Sequence, residues 1–415
     1  ALYGWGAHME DYMNLRGKEL YLCQHNLKAM VPVLNSTAGY GLLFDAGCAM
    51  MFKDNSEGSL VELEAAKQID YYFMKGKTMD AVVANYRLLT GNSPMMPLYL
   101  FGYIQSKERY VSSDDLINTL KEYRQRQIPI DMIVQDWNYW PEGQWGNMSM
   151  NPKFYPDKRK LADEIHSLHA KLMISIWPNA MNCPQHEEFK RKGWLLSGTS
   201  VYDAFNPLAR KLYWNYANNE FFGNGFDAWW CDASEPLDAD WTFMKDGYGA
   251  DNHRQRWELN TNLLNSVLGA ERSQLYSLYH AKGIYENQRS TNEDKRVVNL
   301  TRSSYAGQQR YSTITWNGDT YATWQSFAQM IPAGLNFMAT GCPYWTVDIG
   351  AFFTKNGPQW FWKGDYDKGV ADMAYRELYT RFNMERSYRC FEVMVPILLV
   401  KYGVLVNRMS LFMIV

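Results

Sequence analysis

From residue 98 onward, short apolar runs that end on a carboxylate or an aromatic ring alternate with stretches of helical spacing. This alternation limits the possible folds more than any other feature of the chain. Candidate strands lie at 98–105, 130–136, 172–178, 228–232, 297–301, 313–316 and 344–348, and candidate helices at 113–126, 160–170, 207–222, 256–283 and 323–333. Strands and helices in alternation predict a parallel sheet with helices packed outside it. Seven strand candidates predict an α/β fold of the TIM (β/α)8 type, with the functional face at the strand C-termini. The competitor is an open doubly wound sheet, which usually carries a Gly-rich ligand turn; none is present.

Residues 1–65 have a different texture. Gly, Asn and short apolar runs, with turn signals near Asp54 and Gly58, predict antiparallel β structure, read as the C-terminal part of a β-sandwich. A helix capped by Thr78 and stopped at Gly91, with Pro94 and Pro97 behind it, marks 66–95 as a linker into a barrel spanning 96–381. The first residues, Ala-Leu-Tyr-Gly-Trp-Gly, lack an initiator Met and read as cut from something longer.

A formal net charge of −2 and a pI near 6.4 give no electrostatic reason to expect nucleic acid or a membrane surface as partner, and no membrane insertion is expected. Six cysteines are scattered without a C-x-x-C pair, and seven histidines show no ligand spacing, so no metal, cofactor or disulfide framework is implied. Aromatic residues make up 15% of the chain. Flat rings suit sugar faces, although a large core also uses them.

Four carboxylates, Asp136, Asp232, Asp319 and Asp348, stand at or just after the ends of apolar strands. One such acid is as often a helix cap as a catalyst. Four converging on one aromatic cavity are costly without function. No histidine or serine stands in an equivalent place with a partner, so carboxylate-pair chemistry, as in glycoside hydrolysis, is the leading class.

The chain also resembles glycoside hydrolase family 31, the α-glucosidase and α-xylosidase family, over residues 2–381. The likeness is carried by Tyr3-Gly-Trp-Gly-Ala-His8, Gly102-Tyr-Ile-Gln-Ser-Lys-Glu-Arg-Tyr110, Asp136-Trp-Asn-Tyr-Trp140 and Ile176-Trp-Pro178. Trp229-Trp-Cys-Asp-Ala-Ser-Glu-Pro236, Arg302-Ser-Ser-Tyr-Ala-Gly-Gln-Gln-Arg-Tyr311, Trp316-Asn-Gly-Asp319 and Pro343-Tyr-Trp-Thr-Val-Asp-Ile-Gly350 continue it. The resemblance implies that Asp232 is the nucleophile and Asp319 the acid/base of a retaining mechanism. It also implies that Asp136, Asp348 and Arg302 bind the sugar, that Trp177, Trp230, Trp316 and Phe352 form the walls, and that a loop near 3–12 reaches over the site. The implied substrate is an α-linked oligosaccharide, with xylosides favoured over glucosides by the Asp-Ala-Ser-Glu-Pro form. Transfer to an acceptor sugar stays open, as does oligomeric state, and a periplasmic or extracellular location is implied. Ile104 departs from the family, whose members commonly have Trp there.

After Arg381 the resemblance stops. The family continues with a pattern like R-W-F-Q-Y-G-A-F-x-P-x-x-R-x-H-G, whereas this chain reads Phe382-Asn-Met-Glu-Arg-Ser-Tyr. Back-translation of 382–407 with suitable synonymous codons, read two bases later, yields Q-Y-G-A-F-L-P-L-L-R-S-H-G-T-D-T-P-R-E-I-W-R-F-G-E. Residues 382–415 are therefore read as frameshifted. The expectation is a barrel incomplete at its eighth strand, without the family histidine, and either inactive or confined to binding sugar.

Overall fold

The computed structural model describes residues 1–243, 253–357, 362–389 and 397–400. The N-terminal region is two antiparallel sheets. β1 (Leu2–His8), β3 (Lys28–Ser36), β4 (Tyr40–Phe44) and β7 (Tyr71–Lys75) form one, in that order; β2 (Glu19–Leu22), β5 (Met50–Asn55) and β6 (Gly58–Leu63) form the other. Trp5, Leu20, Leu22, Met30, Leu34, Met50 and Phe52 pack between them. β7 lies inside the stretch read as linker, so the sandwich extends ten residues further than the predicted boundary at 65. The linker helix α1 (Met79–Thr90) is as expected: the Thr78 side chain accepts from Ala81 N, and Gly91 ends it at φ 91°.

The barrel strands are β8 (Tyr103–Gln105), β9 (Met132–Gln135), β10 (Lys171–Ile176), β11 (Ala228–Cys231), β12 (Asn299–Thr301), β13 (Thr313–Trp316), β14 (Trp345–Asp348) and β15 (Ile397–Val400). Between them run α2 (Ser113–Gln125), α3 (Lys158–Ser167), α4 (Pro184–Arg191), α5 (Pro207–Glu220), α6 (Ala239–Phe243), α7 (His253–Leu268), α8 (Tyr276–Thr291), α9 (Trp324–Ala339) and α10 (Met373–Arg389). The single helix expected over 256–283 is two, because Gly269 at φ 82° breaks the run between α7 and α8. The short α4 and α6 and the long α10 were not foreseen.

All neighbouring barrel strands are parallel and the ring is closed. The TIM-barrel expectation holds, but the eighth position, expected to be incomplete, is occupied. Thr346, Val347 and Asp348 pair with residues 397–399, and residues 398–400 pair with Tyr103, Ile104 and Gln105. Ile-Leu-Leu-Val is a continuous apolar run, the composition that parallel strands favour. Residues 390–396 and 401–415, most of the stretch read as frameshifted, lie outside the described residues.

Strand parity decides what enters the barrel. Ile104, Met132, Val134, Met173, Ala228, Trp230, Leu300, Ile314 and Trp316 form the inner core, while Ile133, Leu172, Ile174, Trp229 and Cys231 face the helices. Asp136, Trp177, Asp232, Arg302 and Asp348 continue the inward parity one step beyond or at the C-terminal ends of their strands, so all five stand at the same end of the barrel, its mouth. Trp177, Asp232 and Arg302 line the cavity there, while Asp136 and Asp348 are not among its lining residues.

Candidate active site

At that mouth lies a cavity of about 580 Å³, lined in part by Asp232, Asp319, Arg302, Glu235, Trp177 and Phe352. Asp232 follows β11 directly, Arg302 follows β12, and Asp319 sits three residues past β13. All three side chains are less than a tenth exposed. Arg302 organises them. Its Nη1 donates to Asp319 Oδ2 at 3.2 Å and lies 3.5 Å from Asp232 Oδ1, so the two oxygens are less than about 7 Å apart, compatible with the spacing of a retaining pair. Its other nitrogens grip Glu235, Nε to Oε1 at 2.7 Å and Nη2 to Oε2 at 3.1 Å. Burial alone would push the guanidinium down. Glu235, Asp232 and Asp319 outweigh that and hold it well above the usual arginine range, so it stays a fixed cation between the acids.

Asp238 also lines the cavity. Burial pushes its carboxyl up to about 8; Asp240 adds to the shift, Arg302 opposes it, and Glu235 adds again. Its oxygens accept from Asn26 N and Asp240 N at 2.9 and 2.8 Å. Neither Asp238 nor Glu235 was among the predicted site residues. The signal was present in the Asp-Ala-Ser-Glu-Pro run, whose Glu235 is buried against Arg302 rather than capping a helix.

The remaining predictions divide. Trp177 forms one aromatic wall, edge-on to Trp145 at 5.2 Å, and Trp145 in turn lies 5.5 Å from Trp137. Phe352 forms another, edge-on to Phe353 at 4.5 Å. Asp136 and Asp348 are fully buried at their strand ends; Asp136 Oδ1 accepts from Trp137 N at 2.8 Å. Trp230 and Trp316 are not walls. They pack edge-to-face at 5.0 Å in the barrel interior, fully buried, because they occupy the inward layer below Asp232 and Asp319.

The sandwich reaches the site, but chiefly through a segment other than the one expected. Met9, in the predicted loop, approaches Asn317. The contact with the acid itself is made by the turn between β2 and β3: Asn26 Nδ2 donates to Asp319 Oδ2 at 2.9 Å, and Asp319 N donates to Asn26 Oδ1 at 3.0 Å. Among the described residues, no group of three or more His, Cys, Asp or Glu side chains could hold a metal ion, and no helix is long and apolar enough to cross a membrane.

A closed parallel barrel that gathers buried carboxylates on one arginine, in an aromatic cavity at its strand C-termini, has the architecture of a two-carboxylate glycoside hydrolase. The sequence profile of the glycosyl hydrolases family 31 TIM-barrel domain matches residues 93–384, and the chain belongs to that family. It is 38% identical over 354 residues to an alpha-xylosidase of Saccharolobus solfataricus, covering 85% of this chain and 47% of that protein. It is 31% identical over 399 residues to an uncharacterized family 31 glucosidase of Pseudescherichia vulneris, covering 92% of this chain and 69% of that protein. A solved GH31 alpha-xylosidase from a soil metagenome, complexed with xylose, superposes with a TM-score of 0.79 at 27% identity, covering 96% of this chain and 56% of that one. The chain thus spans about half the length of two of these relatives.

Proposed function

We propose that the chain carries the catalytic barrel of a retaining, exo-acting α-glycosidase that releases a terminal α-linked xylose or glucose from an oligosaccharide. The observation that carries the reading is Arg302 Nη1 placed between the carboxylates of Asp232 and Asp319 inside an aromatic cavity. Asp232 attacks the anomeric carbon while Asp319 gives a proton to the departing oxygen, leaving a glycosyl ester on Asp232. The Asp319 carboxylate then takes a proton from water, which attacks the same carbon and frees the sugar with its configuration retained. Arg302 holds both acids in place and offsets their charge.

Likeness to two alpha-xylosidases supports xylose over glucose. Turnover of p-nitrophenyl α-xyloside and α-glucoside, compared with that of Asp232→Ala and Asp319→Ala, tests the reading; full turnover in the Asp232 variant would remove it.

Residues 382–415 are part of the same proposal. Read out of frame, they replace the family's histidine-bearing segment, and the profile match ending at 384 fits this. The active form is the frame-restored chain, placed in the periplasm or outside the cell, where fractionation of the producing cells would find it.

A further inference from the structure

We infer that Asn26, carried in by the N-terminal sandwich, is the positioning residue of the acid/base carboxylate and fixes which oxygen of Asp319 holds the catalytic proton. The inference rests on the acid/base role proposed for Asp319.

The contact is a two-point clamp. Asn26 Oδ1 accepts from Asp319 N at 3.0 Å and Asn26 Nδ2 donates to Asp319 Oδ2 at 2.9 Å. A backbone N–H can only donate, so the amide oxygen must face it and the amide nitrogen must face the carboxylate. Arg302 Nη1 donates to the same Oδ2 at 3.2 Å. Two donors on Oδ2 keep that oxygen an acceptor, so the proton of the acid form sits on Oδ1.

The clamp is itself held. Asn26 N donates to Asp238, and Asn26 O accepts from Arg256 Nη2 at 2.6 Å; Arg256 in turn grips the buried Asp240 through two nitrogens. His25 Nδ1 lies 2.6 Å from the same Asn26 carbonyl. Burial and the cations Arg256 and Lys28 push His25 well below its usual range, so it donates as a neutral ring. On the barrel side, Gly318 has φ +79°, and a Cβ there would lie 2.3 Å from Asn26 Oδ1 and 2.7 Å from Leu27 N. Only glycine lets the loop bearing Asp319 close on Asn26.

The test compares two leaving groups on one sugar, in the full chain as it stands and in its frame-restored form. Fluoride departs from α-xylosyl fluoride with little need of a proton, whereas p-methoxyphenol needs one; the glucosyl pair is run in parallel. Asn26→Ala is expected to lower kcat/KM on the p-methoxyphenyl glycoside about 10- to 100-fold and on the fluoride less than about threefold. The basic limb of the pH profile is expected to move to higher pH, because a donor that stabilises the Asp319 carboxylate is gone. Asn26→Asp keeps the acceptor for Asp319 N, loses the donor and adds a charge, so it moves the limb further. The other charged groups around Asp319 among the described residues, Arg302 with Asp232, Glu235 and Asp238, are the same in every variant. A ¹³C titration of the carboxyl signal that Asp319→Asn removes reads the same upward shift without turnover. Equal losses on both substrates, with neither the basic limb nor the carbon titration moved, would overturn the inference, as would no loss on either. Asp319→Ala is the separate control: if it loses both substrates equally, the acid/base role fails, and the clamp is judged on the carbon titration alone.

Discussion

Arg302 is bound to Glu235 through two of its nitrogens, at 2.7 and 3.1 Å, and the Glu235 side chain is completely buried. That pairing turns the third nitrogen toward Asp232 and Asp319, so Glu235 sets the cation that both carboxylates share. Removing one member of such a buried pair leaves an uncompensated charge. Glu235→Ala should lower unfolding free energy by about 3–5 kcal/mol in urea titrations and reduce kcat/KM at the same time. Glu235→Gln, which keeps one acceptor oxygen, should lose less of both.

Asp238 gives the stability a pH dependence. Its carboxyl, ordinarily titrating near 3.8, is pushed up to about 8 by burial, so the fold favours the protonated form. The favourable contribution is complete below about pH 4 and is lost as pH rises to about 8. Asp238→Asn stays neutral throughout, and its stability relative to the parent should improve from pH 5 to pH 8. Equal differences in urea midpoint at the two pH values would rule this out.

Trp316 and Trp177 should separate core from wall. Trp316→Ala opens a cavity in the barrel interior and should cost about 3–5 kcal/mol of stability. Trp177→Ala, on the cavity wall, should raise KM about tenfold, equivalent to about 1.4 kcal/mol of binding, with a much smaller loss of stability.

The frame reading has a direct check. Sequencing the DNA around codons 378–385 should show the shift, and the restored chain should hydrolyse p-nitrophenyl α-glycosides well above the chain as written. Equal activity of the two would exclude it.

Much of the barrel was legible because parallel strands announce themselves as apolar runs with a polar residue at the functional end. Asp136, Asp232 and Asp348 were legible as carboxylates at strand ends, whereas Arg302 came only from the family resemblance. Trp230 and Trp316, which the resemblance offered as walls, share the inward parity but lie a layer deeper than the acids, so they pack in the barrel interior and do not line the cavity. Asn26 was not legible at all. It lies 293 residues from Asp319 in sequence, and an Asn in a turn between two strands carries no local sign of what it touches. Residues 393–400 could pass for a strand in the sequence, and β15 lies within them, but the frame reading is preferred because the family pattern stops at Arg381.

The central claim is that Asp232 becomes covalently glycosylated with Asp319 as its proton partner. Incubation of the frame-restored chain with a 5-fluoro-α-xylosyl or 5-fluoro-α-glucosyl fluoride, which slows breakdown of a glycosyl ester, followed by peptide mass spectrometry, tests it most directly. One added sugar on the peptide containing Asp232 is the predicted result. A label on Asp319, or continued turnover by Asp232→Ala with no label anywhere, would contradict it.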